Sequence, residues 1–392
     1  MKAKKIMIFS FAIFMAISLT TLESCSSSDD LVNKRNSAST KLLKRKHKIK
    51  IAFIDTPRME FYKEGADLAV EEINSAGGIL GAKIELVYFN DEDNFSVSNE
   101  IAYKIGSDNQ ICALIGHSPS NLSIFNSPIY HYYGVLMFSP MSSSIELTAH
   151  RLPYVFRNVP SNEELGNAAV KLCKNLKLQR IMILNENTVY ARDLANSFEL
   201  YSGSYNIKSP DREIYEEDFN YNSYIEIVKY WKNNYNFDGI FIAGNMPYIG
   251  EIVTMFREND INVPIIGGET FDVPSFFLVG SNKTENNFYC VSNFDLGLDT
   301  QPFNHFKENF YQKYNALPNL NAFQSYDAVK VVAKAIEKSG SVRVQDIANT
   351  LRSEKVWNEC GGPYSFDEYG NAIGTKIFVK KANNGEFQVL DY

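Results

Sequence analysis

IKIAFIDTPRMEFYKEGADLAVEEINSAGGILGAKIELVYFN, residues 49–90, holds one complete repeat of the fold. Residues 49–55 form a short β-branched and aromatic run, the composition of a buried strand. The period then changes: within 61–76, Ala66, Ala69, Val70 and Ile73 recur at spacings of three and four, while Lys63, Glu64, Asp67 and Glu71 fall on other faces, which predicts an amphipathic helix. Gly77, Gly78 and Gly81 follow a helix and precede a strand, so they end the one and turn the chain into the other. A phosphate-binding glycine loop needs the opposite order. Residues 84–90 are the second strand, and strand, helix, strand reads as a βαβ unit feeding a parallel sheet.

The same alternation extends along the chain. Runs at 111–116 and 135–139 complete a first group of strands, and 181–184, 213–215, 239–243 and 264–266 make a second. Helical stretches near 163–176, 190–201, 222–234 and 247–260 separate the second group. Residues 304–352 read as mainly helical, with short strand-like runs at 364–366, 376–379 and 387–390. The fold class is α/β, with two doubly wound parallel-sheet lobes. The length of 392 residues agrees, because single cores stop growing near about 300 residues.

Residues 1–24 differ from the rest. Lys2, Lys4 and Lys5 precede a nearly apolar run over 6–19, too short for the ~20 residues of a spanning helix. Leu22 and Ser24 before Cys25 resemble a bacterial lipoprotein signal, with Glu23 where that pattern has an uncharged residue. The resemblance implies cleavage before Cys25 and lipid on it, hence an anchor in the cell envelope facing away from the cytoplasm. Residues 25–48 are expected to be a basic, lipidated tether: polar, serine-rich and without hydrophobic periodicity. Over 26–50 there are eight Lys or Arg against two Asp, whereas the remaining body has 28 basic against 43 acidic residues. An acidic body argues against nucleic acid as a partner. Cys112, Cys173, Cys290 and Cys360 are widely separated, with no C-x-x-C pair and no histidine at ligand spacing, which disfavours zinc and iron–sulfur sites. Cys112 and Cys290 lie in apolar runs and read as small buried hydrophobes, with disulfide pairing as the alternative.

In doubly wound sheets ligands sit beyond the carboxyl ends of the strands. Two serine-rich loops lie there, residues 116–121 (GHSPSN) and 139–144 (SPMSSS). Serine hydroxyls beside free N–H groups at a helix start suit a carboxylate, although such serines also serve simply as N-caps. In the second lobe Gly267-Gly268-Glu269-Thr270 places a carboxylate at a strand end, where it can receive a ligand cation, and Tyr190 and Phe271 can wall the cleft. Gly116-His117-Ser118-Pro119-Ser120 superficially matches a G-x-S-x-G nucleophile elbow, but serine replaces the last glycine and none of the five histidines completes an acid–base–nucleophile order.

Asn74-Ser75-Ala76-Gly77-Gly78-Ile79-Leu80-Gly81, then Ile84-Glu85-Leu86 and Asp91-Glu92-Asp93, resemble the leucine/isoleucine/valine-binding family of substrate-binding proteins that serve ATP-driven importers. Ile115-Gly116, Ser139-Pro140, Glu146-Leu147-Thr148, Phe156-Arg157-Asn158-Val159-Pro160, Tyr190 and residues 362–370 (GPYSFDEYG) extend the likeness over most of 49–380. It implies the type 1 periplasmic binding protein fold, a three-segment hinge crossed near Arg157, Cys290 and Phe378, and closure on a ligand with no chemistry and no cofactor. The lobes would be 49–157 plus 291–378, and 158–290 plus 379–392. The resemblance also implies that an amino acid's carboxylate meets Ser120 and backbone N–H groups, that its ammonium meets Ser143 and Glu269, and that Tyr190 lies on the cleft wall. Asn245 stands where the branched-chain binder has a tyrosine, and Met141 where a small residue is common, so the clamp for the zwitterion is kept and the side-chain pocket altered. The implied partners are a small-molecule ligand, an importer permease and, through the anchor, the membrane. A sensing module of the same fold that binds an amide or small carboxylate is the alternative, and a serine hydrolase the remote one.

Overall fold

The computed structural model describes residues 27–390 apart from 57–58, 217–220 and 280–283. The signal segment and Cys25 lie outside the described residues, as do 391 and 392 of the expected second lobe. The chain begins with a helix, α1 (Ser28–Lys46), and then alternates: β1 (Lys48–Asp55), α2 (Tyr62–Ser75), β2 (Lys83–Asn90), α3 (Phe95–Ser107), β3 (Ile111–Ile115), α4 (Ser120–Tyr133), β4 (Leu136–Ser139), the single turn α5 (Glu146–Ala149) and β5 (Val155–Arg157). These strands form one parallel sheet in the order β2-β1-β3-β4-β5. The chain therefore starts mid-sheet and winds both ways, which opens a crevice beyond the strand ends where the direction switches. The glycine segment at 74–81 is explained locally. The Asn74 side chain bonds both the N–H (2.8 Å) and the carbonyl (2.9 Å) of Ile84, near the start of β2. Gly78 has φ of +79°, and a Cβ there would lie 2.1 Å from the Ala82 carbonyl oxygen.

The second lobe repeats the plan with α6 (Asn162–Asn175), β6 (Ile181–Glu186), α7 (Val189–Ser202), β7 (Arg212–Tyr215), α8 (Tyr221–Asn234), β8 (Gly239–Ala243), α9 (Tyr248–Glu258), β9 (Ile265–Gly267), a 3-10 turn (Glu269–Phe271), α10 (Phe276–Val279) and β10 (Phe288–Ser292). The chain then returns to the first lobe as α11 (Gln301–Tyr314), α12 (Leu320–Ser339) and α13 (Val344–Ser353). Phe303, Phe306, Val329 and Val332 of these helices share one core with Ile51, Phe53, Ala66 and Ala69. After the two-stranded β11 (Ser365–Phe366) and β12 (Ala372–Ile373), β13 (Phe378–Asn383) and β14 (Glu386–Val389) close the second sheet as antiparallel edge strands, in the order β14-β13-β10-β9-β8-β6-β7. Three passages join the sheets: after β5, after β10 and before β13. The first leaves at Arg157 and the third enters at Phe378, while β10 runs two residues past Cys290 before the second. Cys112, Cys173, Cys290 and Cys360 are buried free thiols.

The stretch read as an unfolded tether is a docked helix over Ser28–Lys46. Its buried residues, Val32, Arg35, Asn36, Ser39 and Leu42, do keep helical spacing, but three of the five are polar and so escape a search for hydrophobic periodicity. The docking is polar as well. The Arg35 guanidinium, 1% exposed, donates to the backbone carbonyls of Tyr133 (2.8 Å), Asp108 (2.9 Å), Gly106 and Ile111. Burial lowers its pKa to about 10, still charged at neutral pH. Asn36 adds bonds to Gln345 and to the N–H of Val344. Val32 packs where Gly134, with φ of +69°, has no side chain; a Cβ there would lie 2.7 Å from the Val32 side chain.

Candidate functional site

The two serine loops of the first lobe are laced to each other. Ser123 and Ser139 both donate to the His117 carbonyl (3.0 and 3.1 Å), and Ser142 donates to the Ser123 hydroxyl at 2.6 Å. The His117 ring is buried between Asp91 (2.5 Å) and the Tyr130 hydroxyl (2.8 Å), which pins the loop after β3 from below. Ser118 donates to the sulfur of Met59 at 2.7 Å. Its hydroxyl and the neighbouring imidazole thus serve different partners, and the superficial nucleophile elbow is not assembled. Ser120 is buried as the first residue of α4, a 14-residue helix that begins shortly after β3 ends; the first N–H groups of a helix have no partner within it.

The decisive geometry lies where the lobes meet. Glu269, on the turn that follows β9, is buried; its carboxylate accepts from the Tyr190 hydroxyl at 3.0 Å and from the Ser143 hydroxyl at 3.3 Å. Tyr190 belongs to α7 of the second lobe, and Ser143 to the loop after β4 of the first, so the carboxylate is held from both sides. A second interlobe bond, from the Ile145 N–H to Asp193 at 2.9 Å, shows the same closed arrangement. Burial pushes the Glu269 carboxyl up to about 7, against three hydrogen bonds that pull it down, from Tyr190, Ser143 and its own backbone N–H. The Tyr190 phenol is pushed well above its ordinary value, first by burial and then by the charge of Glu269. A buried carboxylate flanked by hydroxyls at an interlobe contact can accept hydrogen bonds from a cation.

Residues 59–386 match the periplasmic binding protein family. The chain belongs to that family. Its relatives include a Leu/Ile/Val-binding protein of Escherichia coli strain K12, 29% identical over 80% of this chain and 84% of the relative. Another is the Leu/Ile/Val-binding protein BraC3 of Rhizobium johnstonii, 25% identical over 83% of this chain and 87% of the relative. Among solved structures, an ABC transporter substrate-binding protein from Desulfitobacterium hafniense in complex with Leu is 31% identical, with a TM-score of 0.77 over 88% of this chain and 99% of that one.

In this periplasmic binding protein the remaining residues singled out from sequence have other surroundings. Met141 packs, half-buried, against the first-lobe core. Asn245 donates to Glu186 at 2.6 Å, at the end of β6. Glu186 is 1% exposed and close enough to raise the Tyr190 pKa, a second buried carboxylate, at the carboxyl end of β6, that the sequence reading passed over. Arg157 was read only as a hinge landmark. Its guanidinium donates to the carbonyls of Ser143 (2.9 Å) and Ser144 (2.6 Å), so it holds the backbone that carries the Ser143 side chain. Burial lowers its pKa to about 10, again leaving it charged. Among the described residues no group of His, Cys, Asp and Glu is arranged to hold a metal, and no helix is long and apolar enough to cross a membrane.

Proposed function

We propose that this protein captures a free amino acid between its lobes and delivers it to an ABC importer. The observation that carries the reading is Glu269, a buried carboxylate at an interlobe contact with hydroxyls of both lobes. The ligand's ammonium takes Glu269 and Ser143, and its carboxylate takes Ser120 and the N–H groups at the start of α4. A molecule with both groups bridges the lobes and binds the closed state better than the open one, the condition for driving closure. Relatives named as Leu/Ile/Val-binding, and a solved neighbour holding Leu, support an amino acid. The preferred side chain is identified by calorimetry across the amino acids. Glu269→Gln is expected to weaken the best ligand by roughly tenfold or more, as a charge-assisted bond becomes a neutral one. Unchanged affinity would rule the reading out.

The reading extends to location. Cleavage before Cys25 and lipidation of its thiol and amine would leave only Ser26 and Ser27 before α1. Two residues span at most about 7 Å, so the binding body would sit against the membrane surface, next to the permease, instead of trailing on a long stalk.

A further inference from the structure

Charge is segregated on this molecule. Residues 31–54 hold eight Lys or Arg and no Asp or Glu, whereas the chain beyond residue 50 has 28 basic against 43 acidic residues. Arg35 is buried, Lys48 pairs with Glu85 at 2.7 Å and Lys50 with Asp108 at 3.7 Å. The other five, Lys34, Lys41, Lys44, Arg45 and Lys46, are exposed, and their side chains have no ion pair or hydrogen bond among the described residues. Three of them sit in the last turn of α1, where they also suit the negative end of the helix dipole, but Lys34 and Lys41 lie before that turn and need another account. At about 100° per residue, Lys34, Lys41 and Arg45 fall within about 40° of one another, on the flank turned away from the buried Val32, Ser39 and Leu42. Arg343, just before α13, lines the same shallow depression as Lys41, Lys44 and Arg45. The acidic residues of α1, Asp29 and Asp30, are confined to its first turn. Among the described residues, no exposed large apolar side chain belongs to α1, so the flank offers charge and has nothing to insert into hydrocarbon.

The place of α1 in the fold narrows what the flank can meet. Arg35 reaches the Asp108 and Ile111 carbonyls at the start of β3 and the Tyr133 carbonyl just before β4, and Ser39 donates to the Asn109 carbonyl at 3.2 Å. β1 begins at Lys48, directly after the helix cap. α1 therefore lies across the amino ends of the first sheet, whereas Ser120 and Ser143 follow the carboxyl ends of β3 and β4. The basic flank is thus at the opposite end of the first lobe from the interlobe contact. Its place in the chain adds a second constraint, because Ser27, which caps α1, is two residues after Cys25. With the proposed lipid on Cys25, the first turn of the helix stays within about 7 Å of the bilayer surface. Anionic head groups attract each basic side chain and repel the acidic remainder of the body, so both effects turn α1 toward the membrane.

We propose that the outer flank of α1, Lys34, Lys41, Lys44 and Arg45 with Arg343 beside them, is a docking surface for anionic lipid head groups, on which the protein stands with its interlobe contact turned away from the bilayer. The contact is electrostatic, so it orients a protein already held near the membrane and yields to salt. It rests on the proposed anchor only for that nearness, and the chain without lipid tests the flank separately.

The probe is a vesicle of about 70% phosphatidylcholine with about 30% phosphatidylglycerol, compared with phosphatidylcholine alone and offered to the chain from residue 26, which keeps every described residue and carries no lipid. Co-sedimentation with the anionic vesicles only, reversed by about 0.5 M sodium chloride, is the expected result. Lys41→Gln, Lys44→Gln and Arg45→Gln combined should lower the partition coefficient about a hundredfold, at roughly fivefold per charge. Lys171→Gln, Lys174→Gln and Lys177→Gln combined, an equal loss of charge on exposed residues of the second lobe, should lower it by no more than about threefold, and Glu269→Gln should leave it unchanged. A dye on Ser37→Cys, selective because Cys112, Cys173, Cys290 and Cys360 are buried, should be quenched by a head-group quencher, and one on Leu200→Cys should not. No binding to the anionic vesicles, equal binding to both vesicles, equal losses in the two triple variants, or quenching at Leu200 as strong as at Ser37 overturns the proposal. So does a dimer in solution that the first triple variant dissolves, which would give the flank to an acidic surface of a second copy. Lipidation of Cys25, read by fatty-acid labelling of the full chain, can fail without changing any of these outcomes.

Discussion

Glu269 makes the unliganded closed state sensitive to pH, and the size of the effect follows from its surroundings. In the closed geometry burial raises its carboxyl from 4.5 to about 7. With the lobes apart the same group faces water and returns toward its ordinary value. Closing with an ionised, unpaired Glu269 therefore costs about 3 kcal/mol above pH 7, at ~1.4 kcal/mol per pH unit. The sign follows from proton counting: the closed form binds the proton more tightly, so closing takes up a proton, and closure is favoured as pH falls from about 7 toward 4.5. At pH 8 about a tenth of closed, ligand-free molecules carry the proton, and at pH 6 about nine tenths, so the closing equilibrium grows about tenfold between them. A bound ammonium keeps Glu269 ionised in the closed form, and the dependence disappears once ligand is present. Single-molecule energy transfer between dyes at exposed positions of each lobe, such as Tyr103 and Leu200, measures the closed fraction directly. The expected result is a tenfold rise in the closed-to-open ratio from pH 8 to pH 6 without ligand, none with saturating amino acid, and none in Glu269→Gln. A ligand-free ratio that does not move, or that moves equally in Glu269→Gln, refutes the reasoning.

Arg35→Met keeps the length of the side chain but leaves the carbonyls of Gly106 and Ile111 without a donor. About 3 kcal/mol of stability should be lost, read as a lower urea midpoint and as new proteolysis after Lys41 and Lys44; an unchanged midpoint and digest would return the segment to the status of a tether. Lys380, on β13, and Asp272, just after the turn that bears Glu269, form a buried pair at 2.7 Å. Lys380→Met alone should cost about 3–5 kcal/mol by stranding the carboxylate, and Lys380→Met with Asp272→Leu should recover most of it; equal losses in the single and double variants would show that the pair is not coupled. Cys25→Ala should move the expressed protein from the membrane to the soluble fraction and abolish labelling by a radioactive fatty acid, and persistent labelling would remove the anchor assignment.

The parts of the fold that were legible in the sequence are those built from apolar periodicity. The strand runs at 49–55, 111–116 and 239–243 and the helix at 61–76 reappear within a residue or two as β1, β3, β8 and α2, because burial on a parallel sheet demands continuous β-branched runs and burial of one helix face demands the 3.6 period. β5 was passed over: with only Val155–Arg157 in the ladder it is too short to show a pattern. α1 was missed for a different reason, since its buried face is anchored by a guanidinium on backbone carbonyls, and nothing in the order of residues announces a carbonyl 71 positions away. The site divides in the same way. Strand ends pointed to Ser143 and Glu269, and their meeting across 126 positions of chain is a tertiary fact. The hold of Arg157 on Ser143, and the Asp91–His117–Tyr130 chain under the first-lobe loop, are likewise long-range contacts among polar residues that look ordinary one at a time.

On the proposed reading, these contacts make closure depend on a ligand. A carboxylate carried into the interlobe contact opposes closing, and the hydroxyls of Ser143 and Tyr190 offset only part of its lost hydration, as its raised pKa records. An apolar residue at 269 would remove that opposition and let the lobes rest shut, hiding the site from solute. With glutamate there, an ammonium bound as proposed would supply the missing stabilisation, so the carboxylate proposed to recognise the solute also weakens closure without it. Arg157 makes the coupling mechanical. It lies at the first passage between lobes and binds the carbonyls of Ser143 and Ser144, so that passage and the backbone of the Ser143 loop are tied together. On the proposed reading, a solute that orders Ser143 against Glu269 would be felt at the Arg157 passage, and an importer would have only the resulting angle between the lobes to read.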